Sequence, residues 1–215
     1  MRKAFALIVF LCLAGWAGGV SGAERLPDEP QQPRDSAVAF PAAGSYAEAL
    51  AGWHTPEDIS RWLAANFSYD AARAMNLSET QRAKQAAPPI YSPAELFENR
   101  TGVCVDLSRF AVETLSRIDP QSDPKYLMIE FEPVQIRGNT LRLHWLVSFK
   151  RGGKTWFFAD SNRPGHVAGP YSDTAAFIAD YEKYRGRKIV AFRELASYQK
   201  QQRKKALKQP ATAKP

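Results

Sequence analysis

The segment from residue 141 to residue 160, LRLHWLVSFKRGGKTWFFAD, decides the fold of this chain. Its first nine residues alternate in a way that predicts a strand with two different faces. One face is expected to carry Leu141, Leu143, Trp145, Val147 and Phe149, and the other Arg142, His144, Leu146 and Ser148. Gly152 and Gly153 suit the positive φ angles of a tight turn, so Thr155 to Asp160 is expected to return as a second strand.

The length of the turn sets which residues face each other across this predicted hairpin. A three-residue loop, Arg151–Gly153, places His144 opposite Asp160, whereas a two-residue loop places it opposite Ser161. In both registers Asp160 lies beside His144, because directly opposed Cβ atoms are about 5 Å apart. A carboxylate at that distance can accept a hydrogen bond from one imidazole nitrogen and leave the other nitrogen free to act as a base.

Helical patterns precede the hairpin. Thr55 and Pro56 form a typical helix start, and residues 92–95 form a capping box that opens a short helix ending near Asn99. A third helix is predicted to begin near Cys104 and to stop at Asp119, before a proline. Residues 76–91 are expected to be loop-like.

After residue 120 the apolar period changes from helical to alternating. A strand is predicted over residues 126–132, a helix over roughly 173–185, and a short apolar run over 189–192. Helices followed by an antiparallel sheet indicate an α+β protein rather than a doubly wound one.

The two ends of the chain differ from its middle. Residues 1–23 are typical of a signal peptide cut after Ala23, with an uncleaved anchor as the alternative, and predict a periplasmic or secreted protein. Residues 24–44 are proline-rich and are expected to form a linker or extended arm before a domain over residues 45–195. Residues 196–215 are predicted to be a disordered basic tail.

The net charge of +7 lies at these ends. Removing the two charges of Arg2 and Lys3 and the six of the tail leaves −1 for residues 4–195. A nucleic-acid-binding domain usually carries its basic surface on the fold, so no nucleic-acid partner is expected. The tail is either simply solvated or attracted to an anionic envelope surface, and the protein is expected to be a monomer.

Cleavage after Ala23 would remove Cys12 and leave Cys104 as the single cysteine. Cys104 is either a buried small hydrophobe or a nucleophile. Its place at a helix N-terminus favours the thiolate, and its own N–H could stabilise an oxyanion. If this helix packs against the face of the sheet that carries His144, Cys104, His144 and Asp160 form a catalytic triad. The alternative is a structural cysteine beside a polar His–Asp pair.

Four stretches in order resemble the transglutaminase-like superfamily. Residues 101–108, TGVCVDLS, resemble its Gly-x-Cys-x-Asp-x-small element, and residues 62–69, WLAANFSY, resemble the helix and tyrosine that precede it. Residues 144–149 resemble its histidine strand, and residues 156–161 resemble its Trp-x-x-x-Asp strand. The resemblance covers about residues 50–165 and departs from the family where Trp145 directly follows the histidine.

The resemblance implies a papain-like core with Cys104 as nucleophile, His144 as general base and acid, and Asp160 as the residue that orients the histidine. Asn66 and Tyr69 are candidates for a second oxyanion donor, and Asn162 for a residue beside the site. Valines flank Cys104 where calcium-linked relatives carry acids, so calcium is not implied. Neither a metal nor a cofactor is expected, because CxxC, HxxxH and EF-hand patterns are lacking.

The resulting hypothesis is an exported cysteine hydrolase, a peptidase or amidase, that acts on a protein or peptide through a thioester. The resemblance favours hydrolysis over cross-linking. Two alternatives remain open: transglutaminase-type acyl transfer that cross-links proteins, and a non-catalytic binding module on the same fold.

Overall fold

The computed structural model describes residues 25–32 and 43–199. The expected signal peptide and the tail from residue 200 lie outside the described residues. Within the described ranges, no helix combines the length and the apolar character that a membrane span needs.

The first half of the described chain is helical, with one pair of short strands. Its elements are α1 (Tyr46–Gly52), α2 (Pro56–Asn66), β1 (Ser68–Tyr69), α3 (Ala71–Asn76), α4 (Glu79–Lys84), α5 (Pro93–Asn99), β2 (Thr101–Gly102) and α6 (Cys104–Ile118). Helices α2 and α5 begin where their caps predict, since the Thr55 and Ser92 hydroxyls accept hydrogen bonds from backbone N–H groups three residues on.

One prediction in this half is wrong. Residues 76–91 are not entirely loop, because they contain α4, whose N-cap Ser78 accepts a hydrogen bond from the backbone N–H of Gln81. None of the six residues of α4 is buried. The helix therefore lacks the apolar stripe on which a periodicity argument depends.

The second half of the described chain forms an antiparallel sheet with one further helix. After a short 3-10 turn at Pro120–Ser122 come β3 (Lys125–Ile136), β4 (Asn139–Arg151), β5 (Lys154–Phe158), β6 (Ala168–Tyr171), α7 (Thr174–Arg185) and β7 (Ile189–Leu195). The five strands lie in the order β6-β5-β4-β3-β7, and each pairs antiparallel with its neighbours. The α+β class is confirmed.

The β4–β5 hairpin has the two-residue turn. Phe149 pairs with Trp156 and Arg151 with Lys154, which leaves Gly152 and Gly153 as the loop. Their φ angles are 57° and 70°, a conformation that glycine adopts without the steric cost of a side chain.

The two faces of the sheet are covered by different helices. Helix α6 packs against the face of Trp145, Val147 and Phe149, and α1, α2 and α5 pack on α6 in the same apolar cluster. Helix α7 covers the opposite face, where Phe177 and Tyr181 contact a second apolar cluster. The cysteine helix therefore does not lie on the face that carries His144, contrary to the condition set out for a triad.

Candidate active site

Cys104 is the first residue of α6, and Asp106 holds that end of the helix in place. The Asp106 carboxylate accepts hydrogen bonds from the backbone N–H groups of Val103, at 3.0 Å, and Tyr91, at 2.9 Å. It also forms a bidentate ion pair with Arg73, at 2.8 Å for both nitrogens. Asp106, the acid of the cysteine motif, is thus fully buried and structural, and it fixes the start of α6, where Cys104 lies.

The chain enters α6 through a close approach at Gly102. A Cβ atom there would lie 2.8 Å from Cδ1 of Leu96 and 3.1 Å from Cβ of Asp106. Only glycine allows β2 to pass so close to α5 before Cys104 begins.

His144 and Asp160 are paired, as the hairpin arithmetic predicts. The His144 Nε2 atom lies 3.1 Å from Oδ1 of Asp160. Ala159, with a left-handed φ of 59°, follows the last residue of β5, and Asp160 after it contacts His144 from beyond the paired part of the hairpin. Asp160 also accepts a hydrogen bond of 2.9 Å from the backbone N–H of Asn162, so its carboxylate is held on two sides.

Cys104 and His144 meet at an open edge of β4 rather than across a helix–sheet interface. The β4–β5 pairing ends at Val147 and Phe158, so β4 has no β5 partner at His144. The Sγ atom of Cys104, a ring nitrogen of His144 and a carboxylate oxygen of Asp28 all lie within 4.8 Å of one another there.

Tyr181 and Arg185 complete the back of the site, and the sequence reasoning missed both. The Tyr181 hydroxyl donates to Oδ2 of Asp160 at 2.9 Å and contacts Nε2 of His144 at 3.0 Å. Arg185, one turn later on α7, donates to the same hydroxyl at 2.6 Å. Their i, i+4 spacing was the available signal, but the pattern is too common to single them out.

Asp28 is the third residue that the sequence reasoning missed, because it falls in the segment expected to be a linker or arm. Its Oδ1 atom lies 3.1 Å from Nδ1 of His144 and 2.6 Å from a guanidinium nitrogen of Arg185. Within the described residues, Nδ1 of His144 makes no hydrogen bond of regular geometry, so its contact with Asp28 is that of an ion pair.

The charges around His144 favour the imidazolium. Burial alone would lower its pKa, but the carboxylates of Asp28 and Asp160 outweigh burial and hold the pKa well above the ordinary value. For Asp160, burial is opposed by His144 and Arg185, which lower its pKa to about 2. Both shifts favour the charged forms of the pair, imidazolium and carboxylate, while Asp28 stays beside His144.

The thiol departs from the expectation of a lowered pKa. Cys104 is only 7% exposed, and this burial raises its pKa although His144 and the backbone of Trp145 act in the opposite direction. The negative charge of Asp28 raises it further. Desolvation thus outweighs the helix N-terminus while Asp28 occupies the site.

The three candidate neighbours of the triad have different surroundings. Asn66 donates its side-chain N–H to the Trp62 carbonyl, one turn earlier in α2. Tyr69 lies close enough to Asp28 and Cys104 that, after burial, their charges help raise its pKa well above the ordinary value. Tyr69 therefore stays a neutral phenol near the thiol, while Asn162 binds residues 27–29 through its side chain.

Cysteine, histidine and aspartate are also donor types that bind zinc, and the three atoms at this site are near enough to be considered. However, the Arg185 guanidinium donates to the carboxylate oxygen of Asp28 that faces His144. A metal ion bound to that oxygen would have a permanent cation beside it, so the arrangement fits an ion pair better than a metal centre.

Sequence comparison agrees with this geometry at the level of the family. Residues 50–168, more than half of the chain, match the family described as Transglutaminase-like domain. The chain therefore belongs to the transglutaminase-like family. No curated protein matches it.

Proposed function

We propose that this chain is an exported cysteine hydrolase, a peptidase or amidase, that uses Cys104, His144 and Asp160. The observation that carries the proposal is the placement of one buried imidazole between a thiol and a carboxylate. Its Nε2 atom faces Asp160, and we assign the reaction with Cys104 to Nδ1, the nitrogen on the side of Asp28. A cysteine that only fills space in the core would not require an imidazole and a carboxylate in line with its thiol.

In the proposed reaction the Asp28 carboxylate has left His144, so the largest charge that favours the imidazolium is gone. Sγ of Cys104 then attacks the carbon of a substrate amide, and the neutral imidazole of His144 accepts the thiol proton. The carbon–nitrogen bond breaks when His144 passes that proton to the leaving amine, and a thioester remains on Cys104. Water then adds to the thioester carbon with His144 as base, which releases the acid and restores the thiol. Asp160 and Tyr181 hold the ring so that its Nδ1 atom serves both steps.

The test combines activity with reactivity. In a screen of peptide and amide substrates, Cys104→Ala should lower any cleavage by a factor on the order of 10³ or more. The rate of Cys104 alkylation against pH, read by mass spectrometry of the Cys104 peptide, should show an inflection that His144→Ala removes. His54→Ala is the matched control, because His54 is an exposed histidine outside the site.

Three results would contradict the proposal. Cleavage that persists in Cys104→Ala would place the activity elsewhere. A thiol whose pH profile is identical in the His144→Ala protein would favour the binding module, whereas incorporation of a labelled amine without hydrolysis would favour acyl transfer.

A further inference from the structure

Residues 25–32 lie in the active site as a bound peptide would. Three side chains donate hydrogen bonds to three successive backbone carbonyl oxygens: Arg185 to Pro27 at 2.8 Å, Ser161 to Asp28 at 2.9 Å, and Asn162 to Glu29 at 2.7 Å. The backbone N–H of Gln31 in turn donates to the carbonyl of Asn162 at 3.0 Å. Main-chain contacts of this kind give affinity that is independent of side-chain identity.

Two side chains of this segment add selectivity. Leu26 is 4% exposed and packs with Ala74, Val103 and Ile136. Two residues later, Asp28 places its carboxylate against Arg185 and His144. Arg185 is 3% exposed in its side chain, so a segment that leaves this place would strip a buried cation of one anionic partner. The place thus suits a peptide with an aliphatic residue two positions before an acidic one.

The same contacts keep substrate from the nucleophile. The Asp28 carboxylate lies within 4.8 Å of both the thiol and the imidazole, where the carbonyl group of a substrate would have to enter. The groove continues beside it as a cleft of about 470 Å³ between residues 29–32 and Phe67–Tyr69. Further residues of a longer peptide have room there.

We propose that Ser161, Asn162, Arg185 and the Leu26 pocket form a subsite for a peptide of aliphatic-x-acidic pattern, bound in the turn that residues 26–29 form through the Glu29 N–H and the Leu26 carbonyl, and that residues 26–29 are its resting occupant. This inference rests on the proposed function, because it names the substrate class of the same site. In a productive complex the acidic side chain of the substrate binds Arg185 alone, and the scissile carbonyl takes the position beside Cys104 and His144 that the Asp28 carboxylate holds in the resting chain.

The test measures alkylation of Cys104 by iodoacetamide at pH 7 in the full chain. Asp28→Asn should raise the rate at least tenfold, because it weakens the ion pairs that hold the segment and removes a negative charge beside the thiol. Glu29→Gln is the matched control: Glu29 is the next acid on the same segment and pairs only loosely with Arg25, at 3.9 Å. Its rate should stay within twofold of the wild type.

Two additional measurements test the subsite if Asp28→Asn fails to fold. Leu26→Ala should raise the rate about threefold or more even if Asp28→Asn does not fold, as judged by thermal unfolding. Free RLPDEPQQ peptide, the sequence of residues 25–32, should slow alkylation of the Asp28→Asn or Leu26→Ala chain, and the same peptide with asparagine at the Asp28 position should not.

Rates of both variants within twofold of Glu29→Gln, or a peptide that does not protect at millimolar concentration, would overturn the inference. The proposed function fails by a different readout, the loss of dependence on His144 in the pH profile. If Asp28→Asn is alkylated faster but its pH profile does not depend on His144, the occupied subsite is supported and the triad is rejected. If the pH profile depends on His144 but Asp28→Asn is alkylated no faster, the triad is supported and the subsite is rejected.

Discussion

The buried pair of Asp106 and Arg73 should determine whether the nucleophile helix forms at its place. Asp106 has no exposed surface, and its two oxygens receive four hydrogen bonds, from Arg73 twice and from the N–H groups of Val103 and Tyr91. In Asp106→Asn, an amide NH₂ group would face donors and the Arg73 guanidinium would lose its counterion. Breaking such a buried pair costs about 3–5 kcal/mol.

That cost is large for a protein of this size. Typical stabilities are about 5–15 kcal/mol, and each kcal/mol shifts Tm by about 2–4 °C, so the loss in Tm should be roughly 6–20 °C. Urea unfolding and calorimetry would measure it. Glu57→Gln is the matched control, because it removes the same charge from an exposed bidentate pair with Arg151 and should cost at most about 1 kcal/mol.

The reasoning is refuted if Asp106→Asn loses no more free energy of unfolding than Glu57→Gln. A second variant tests the cause. If the unpaired cation dominates the loss, Arg73→Met added to Asp106→Asn should recover part of the stability, because an apolar side chain of similar length leaves no buried charge.

Two other perturbations have expected outcomes. Gly102→Ala should lower the free energy of unfolding by about 1–3 kcal/mol in urea, because its Cβ would lie 2.8 Å from Leu96, whereas Gly52→Ala, with nothing within 4 Å, should not be destabilising. Thermal stability against pH should show a plateau between about 4 and 6.5. The raised pKa of His144 adds stability that is complete below its ordinary 6.5 and is lost as pH rises through the raised value. The lowered pKa of Asp160 adds stability that is complete above 3.8 and is lost as pH falls towards about 2. A His144→Gln chain with the same alkaline decline as the wild type would contradict the first assignment.

The β4–β5 hairpin is the part of the candidate site that local sequence predicts best. Alternation along residues 141–149 and the two glycines set the strand direction and the register within a few residues. That register alone predicts that His144 and Asp160 lie side by side, without any information on how the helices pack. Capping signals at Thr55 and Ser92 likewise set where helices begin, since the bonds they satisfy lie within one turn.

The packing of α6 on the sheet could not be predicted from local sequence. A helix with an apolar stripe can cover either face of a sheet, and the stripe alone does not say which. The structure places α6 on the face of Trp145, opposite the one that His144 shares with α7, and lets Cys104 reach the histidine at the strand edge that β5 leaves open. That edge depends on where the hairpin stops pairing, which is a property of the assembled sheet.

The sequence by itself determined the α+β class, the hairpin with its His–Asp pair, and the helix that begins at Cys104. All of these depend on interactions between residues near one another in the chain, where alternation, caps and turn glycines act directly. Only the tertiary structure decided that Tyr181 and Arg185 support the pair and that Asp28 occupies the site. Those contacts join residues far apart in the chain, and packing of the whole domain selects them, because many other acids, tyrosines and arginines in this sequence have the same local chemistry.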